Sequence, residues 1–86
     1  MKSVIRVGLI GCGGIMHRHI ESLLSNRFAT ITAMADPVAG NIARYKVQFP
    51  ALASAAVYSD YRDLLKSGVD AVVIASPHSG QIGLLT

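Results

Sequence analysis

Cysteine, tryptophan and acidic residues are scarce in this chain: one Cys, no Trp, and five Asp and Glu among 86 residues. A lone Cys12 excludes an internal disulfide framework and leaves no metal-ligand spacing, which fits a reducing, cytoplasmic setting. No stretch approaches the roughly 20 apolar residues of a membrane span, so no membrane partner is expected. The apolar run between Lys2 and Cys12 has the outline of a lipoprotein leader. It is too short for one, and cleavage at Cys12 would destroy the first strand. Only 15% of residues are charged, and the eight basic residues behind the net charge of +3 are scattered. Arg44 and Lys46 form their closest grouping. Nucleic-acid binding calls for a basic stripe with stacking aromatics, so no nucleic-acid partner is expected either.

Apolar residues are plentiful, at 51%, as expected of a sheet covered by helices or of part of a larger domain. Val4 to Ile10 (VIRVGLI) is nearly continuous, the pattern of a strand buried on both faces of a parallel sheet. Ile15, Met16, His19, Ile20, Leu23 and Leu24 then follow at helical spacing. Ala29 to Ala35 (ATITAMA) predicts a second strand, closed by Asp36-Pro37. A second helix is expected from Val38 to Phe49, with Ile42, Tyr45 and Phe49 on one face and Pro50 as its stop. Ala51 to Ala56 reads as a loop and Val57-Tyr58 as a short third strand. Asp60 caps a helix over Tyr61 to Lys66, which Gly68 ends. Asp70 to Ser76 predicts a fourth strand, and Gln81 to Thr86 the start of another helix. The order β-α-β-α-β-α-β implies right-handed crossovers and a parallel sheet, a partial doubly wound α/β fold over residues 1–86. With nothing beside it, the fourth strand would be an apolar edge prone to self-association.

Three glycines in four positions, Gly11-Cys12-Gly13-Gly14, join the first strand to the first helix. A strand-to-helix turn can use two glycines for geometry alone. The same context also suits a dinucleotide loop: Gly11 for the turn, Gly13 for close approach to a pyrophosphate, and amides around Gly14 and Ile15 directed at phosphate. Asp36, twenty residues after Met16, ends the second strand where an acid can accept hydrogen bonds from the adenosine ribose. A carboxylate there repels a 2′-phosphate, and Pro37 and Val38 bring no positive charge, which favours NAD over NADP. Met16 departs from the fingerprint, which has a small residue at this point of close helix packing. His17 and His19 lie two apart on a helix and cannot form an i, i+4 metal pair. They read as structural, and Cys12 as a small side chain directed into the fold.

With these residues in hand, "VGLIGCGGIMHRHIESL", "ITAMADP", "VYSDYRDLL" and "VDAVVIASPHSGQ" together resemble the N-terminal part of the glucose–fructose oxidoreductase/inositol dehydrogenase (Gfo/Idh/MocA) family. The resemblance implies a Rossmann domain that binds NAD(P) and, in full-length members, hydride transfer at a hydroxyl carbon of a sugar or cyclitol. Gly11, Gly13, Gly14, Ile15 and Asp36 match its cofactor-binding positions. Ser76, Pro77 and His78 match a loop that lies beside the cofactor. His78 stands where the family often has Asn, and Gln81 where a His is usual; His19 matches a histidine common in the first helix. The family's catalytic lysine lies in a Glu-Lys-Pro motif beyond Thr86, as does its substrate domain. No catalytic residue and no metal ligand is therefore identified, and whether the chain itself is an enzyme stays open. The other readings are a non-catalytic binding or interaction module and an S-adenosylmethionine site, which uses a similar loop and acid.

Overall fold

The computed structural model describes residues 4–14, 16–75 and 80–84. Its elements run β1 (Ile5–Ile10), α1 (Met16–Leu24), β2 (Ala29–Ala35), α2 (Ala39–Gln48), β3 (Ala56–Tyr58), α3 (Tyr61–Leu65), β4 (Ala71–Ala75) and β5 (Gly80–Leu84). The sheet order is β3-β2-β1-β4-β5. The first four strands are mutually parallel, as the alternation of strands and helices predicted, and β5 returns antiparallel to β4.

That last strand corrects the expected helix at Gln81. Backbone pairing from Ala71 with Leu84 through to Ala75 with Gly80 takes up this segment. Gly83 within it is a weak helix former, and local propensity yields here to the ladder that β4 offers. The predicted apolar edge at β4 disappears with it: β4 lies between β1 and β5, and the outermost strands are β3 and β5. A second correction concerns Ala51 to Ala56. Pro50–Leu52 forms a 3-10 turn rather than open loop, and Leu52 is fully buried. The Lys46 ammonium donates to the Ala53 and Ala55 carbonyls and so ties this turn to α2.

Strand parity sorts β1 onto two cores. Val7 and Leu9 join Met16, Ile20, Ile42, Tyr45 and Leu52 on the face covered by α1 and α2. Ile10 joins Leu64 and Val72 on the other face, under α3. β2 breaks simple alternation. The register with β1 shifts between Val7, paired with Ile31, and Gly8, paired with Ala33. The extra residue, Thr32, changes the parity, so Ile31 and Met34 share the first core while Ala33 and Ala35 serve the second. Met16, out of place in the glycine fingerprint, is fully buried in the first core. Its flexible thioether fills the space there.

Asp60 caps α3 through its side chain, which accepts the Arg62 amide at 2.9 Å. Arg62 also holds that carboxyl by side-chain hydrogen bonds, which lower its pKa to about 2. At the opposite end of the sheet, Arg6 and Asp70 join the starts of β1 and β4. The Arg6 amide donates to Asp70 at 2.9 Å, and the two side chains pair at 3.2 Å.

Candidate functional site

Parallel strands leave their C-terminal ends on one edge, and the chain changes direction across the sheet between β1 and β4. Ligands of open α/β sheets bind at such a switch point. The glycine loop leaves β1 there.

Gly11 is fixed by the protein itself. Its φ is +82°, and a Cβ at this position would stand 2.5 Å from the Ala75 carbonyl oxygen. The Gly11 amide donates to Ala35 O at 2.9 Å, binding the loop to the end of β2. Gly13 and Gly14 differ. Neither has a positive φ, and nothing lies within 4 Å of a Cβ built on either. The fold makes no demand for glycine at these two positions, yet a side chain there would project into the open space in front of the loop.

Asp36 sits directly after β2 and is 8% exposed. Its two oxygens are engaged from different sides. Oδ2 accepts the Cys12 amide at 2.7 Å and the Asn41 side-chain amide at 3.3 Å, while Oδ1 accepts the Val38 amide at 2.7 Å. Burial alone would raise the carboxyl pKa, but the Val38, Cys12 and Asn41 hydrogen bonds outweigh it and the net shift is downward. Asp36 thus stays ionised and is bound to the glycine loop through Cys12. Cys12 itself is fully buried, and burial, reinforced by the charge of Asp36, pushes its thiol up to about 12. That thiol is no nucleophile at neutral pH.

Ile10, Gly11, Asp36, Pro37, Ser59 and Tyr61 line a cleft of about 500 Å³ over the ends of β1, β2 and β3. Its volume falls within the range of small-molecule sites. Gly11 and Asp36 are therefore brought together at this cleft, with Gly13 and Gly14 at the loop beside it. Ile15, Ser76, Pro77 and His78 lie outside the described residues. Among the described residues no group of His, Cys, Asp and Glu is arranged to hold a metal. His17 joins the two helices on its face: one ring nitrogen is 3.0 Å from Gln48, the other 3.3 Å from Glu21. No described helix is long and apolar enough to cross a membrane.

Sequence reasoning placed Tyr45 on the core face of α2 and missed its hydroxyl. The ring is buried, but the hydroxyl leaves the apolar cluster and reaches the glycine loop, 2.5 Å from Gly13 O and 3.2 Å from Gly14 O. The available signal was general: a buried tyrosine needs a partner for its O–H.

Residues 5–83 match the GFO_IDH_MocA family, described as an oxidoreductase family with an NAD-binding Rossmann fold. The chain belongs to this family. Solved structures agree with the assignment. A dehydrogenase from Chromobacterium violaceum is 32% identical with a TM-score of 0.74, over 87% of this chain and 22% of its own. The WlbA dehydrogenase from Bordetella pertussis, in complex with NADH and UDP-GlcNAcA, is 29% identical with a TM-score of 0.72, over 86% and 22%. A 3-ketoreductase from Actinomadura kijaniata, in complex with TDP-benzene and NADP, is 30% identical with a TM-score of 0.73, over 87% and 23%. The chain thus spans less than a quarter of these Gfo/Idh/MocA structures. No curated protein matches it. The chain carries the family's NAD-binding Rossmann fold, and neither an S-adenosylmethionine site nor a non-catalytic module is favoured by these similarities.

Proposed function

We propose that this chain is the segment of a Gfo/Idh/MocA oxidoreductase that holds the adenosine diphosphate half of NAD. The observation that carries this reading is the open glycine pair. Gly13 and Gly14 are not required by the fold, and the space before them is what an approaching pyrophosphate would occupy. α1 begins just beyond the loop, so the positive end of its dipole favours an anion there. The cleft beside Asp36 is where the adenosine would lie, with the carboxylate accepting from its ribose. The ionised Asp36 repels a 2′-phosphate. Arg44, the nearest cation along α2, is directed to the Asn41 side chain at 3.4 Å. NAD is therefore preferred to NADP. Gly11, Ile15 and the segment Ser76, Pro77 and His78 complete the proposed contacts.

When bound, the nicotinamide carries the hydride in this family's chemistry. The residues of this chain bind and orient the cofactor. In a polypeptide of the relatives' length they would serve hydride transfer at a hydroxyl carbon of a sugar or cyclitol, in the cytoplasm. The outer edges of β3 and β5 are the places for self-association or for strands of a longer polypeptide to add.

Calorimetric titration tests the binding claim. NAD should bind at millimolar concentration or below, with NADP weaker. Gly13→Val should raise the Kd for NAD about tenfold or more with the melting temperature unchanged. No heat with millimolar NAD would overturn the reading.

A further inference from the structure

Two adjacent glycines allow the peptide between them to rotate easily. At an anion site that freedom is a hazard, because the Gly13–Gly14 peptide presents either an N–H or, flipped, a carbonyl oxygen. The second would repel phosphate. Something must hold the peptide in one orientation.

Tyr45 is placed to do so. Its ring is 4% exposed and fixed in the first core, with the Phe49 ring stacked at 6.3 Å. Its hydroxyl donates to Gly13 O at 2.5 Å, with Gly14 O as a second acceptor at 3.2 Å. The Met16 amide also donates to Gly13 O, at 3.1 Å. In a trans peptide the C=O and the following N–H point in opposite directions, and no cis peptide occurs among the described residues. With Gly13 O held against α2, the Gly14 N–H is turned to the opposite side of that peptide, away from Tyr45. Phenylalanine would fill the same core space without this restraint, so packing alone does not account for the hydroxyl.

We infer that Tyr45 is a positioning residue for the phosphate cradle: its hydroxyl holds the Gly13 and Gly14 carbonyls inward and so presents the Gly14 amide to an anionic diphosphate. This rests on the cofactor reading above. It goes further in assigning the shape of the loop to a side chain on α2, outside the glycine motif.

The test compares Tyr45→Phe with the wild-type chain, following NMR shifts during titration with NAD, ADP and adenosine. The Kd for NAD and ADP should rise about three- to tenfold, the worth of one hydrogen bond, while that for adenosine, which has no phosphate, stays unchanged. Unchanged ADP binding would overturn the inference and leave the cofactor reading standing. So would a loss for adenosine as large as that for ADP, because the hydroxyl would then be merely structural. A wild-type chain that binds neither NAD nor ADP would overturn both.

Discussion

Gly11 and Gly13 stand two residues apart in one motif and answer to different demands. At Gly11 the backbone is left-handed and the Ala75 carbonyl fills the place of a Cβ. At Gly13, and again at Gly14, the backbone suits any residue and the place of a Cβ is empty. The first glycine is needed by the protein before any ligand arrives. The other two are unexplained by the protein alone. A glycine motif of this kind is thus two features written in one letter, and substitution can separate them.

The largest expected effect is at Gly11. Alanine there meets a left-handed backbone, costing about 1–2 kcal/mol. It also clashes with backbone rather than with a movable side chain, which adds about 1–3 kcal/mol. Urea melts should show a loss of about 3 kcal/mol, and the thermal midpoint should fall by more than about 10 °C. A loss below about 1 kcal/mol would erase the distinction between the two kinds of glycine.

Asp36 comes next, because it joins the two halves of the comparison. Its carboxylate accepts N–H groups on both oxygens, whereas asparagine offers one acceptor and one donor. Asp36→Asn should therefore leave Cys12 or Val38 facing a donor, at a cost of about 2 kcal/mol. The pH dependence has a definite sign. The folded-state pKa lies below the unfolded value of about 3.9, so the contribution is present above that value and is lost as pH falls through the folded one. Stability measured from pH 5 downward should fall less steeply in Asp36→Asn than in the wild type. Equal slopes would show that the loop does not depend on this charge.

Gly8 offers an intermediate case. A Cβ there would lie 2.5 Å from a terminal methyl of Leu64, the fully buried residue of α3. The neighbour is the end of a side chain and can shift within the second core. Gly8→Ala should cost about 1–2 kcal/mol, less than Gly11→Ala, and leave ligand affinity alone. A penalty matching that of Gly11→Ala in paired denaturation curves would show that α3 packs too rigidly to yield.

Much of this was legible because local pattern and tertiary demand agree in the first four strands. The apolar runs of β1, β2 and β4, the Asp60 cap and the acid after β2 all follow from short-range chemistry. β5 did not, since Gln81 to Leu84 is too short for periodicity to tell strand from helix and its pairing with β4 is decided by the sheet. The extra residue at Thr32 was likewise invisible: Ile31 and Met34 read as opposite faces until the register shift places them on one. At the site, Gly11 and Asp36 were visible as letters in a motif. The Cys12–Asp36 hydrogen bond and the reach of Tyr45 were not, because both join segments far apart in sequence.

The smallest expected effect on the fold is the one that decides what the surplus glycines are for. Gly13→Ala introduces a methyl where nothing lies within 4 Å, on a backbone that alanine adopts without strain. Stability should stay level or rise by up to about 1 kcal/mol, because the unfolded chain loses freedom that the folded chain never used. If Gly13 were needed for the turn, the same change would cost stability as Gly11→Ala does. If the space before the loop belongs to a pyrophosphate, the methyl will weaken binding of ADP while adenosine, which never reaches the loop, binds as before. A melt and two titrations on one variant therefore separate the glycine that shapes the chain from the glycine that leaves room for something else.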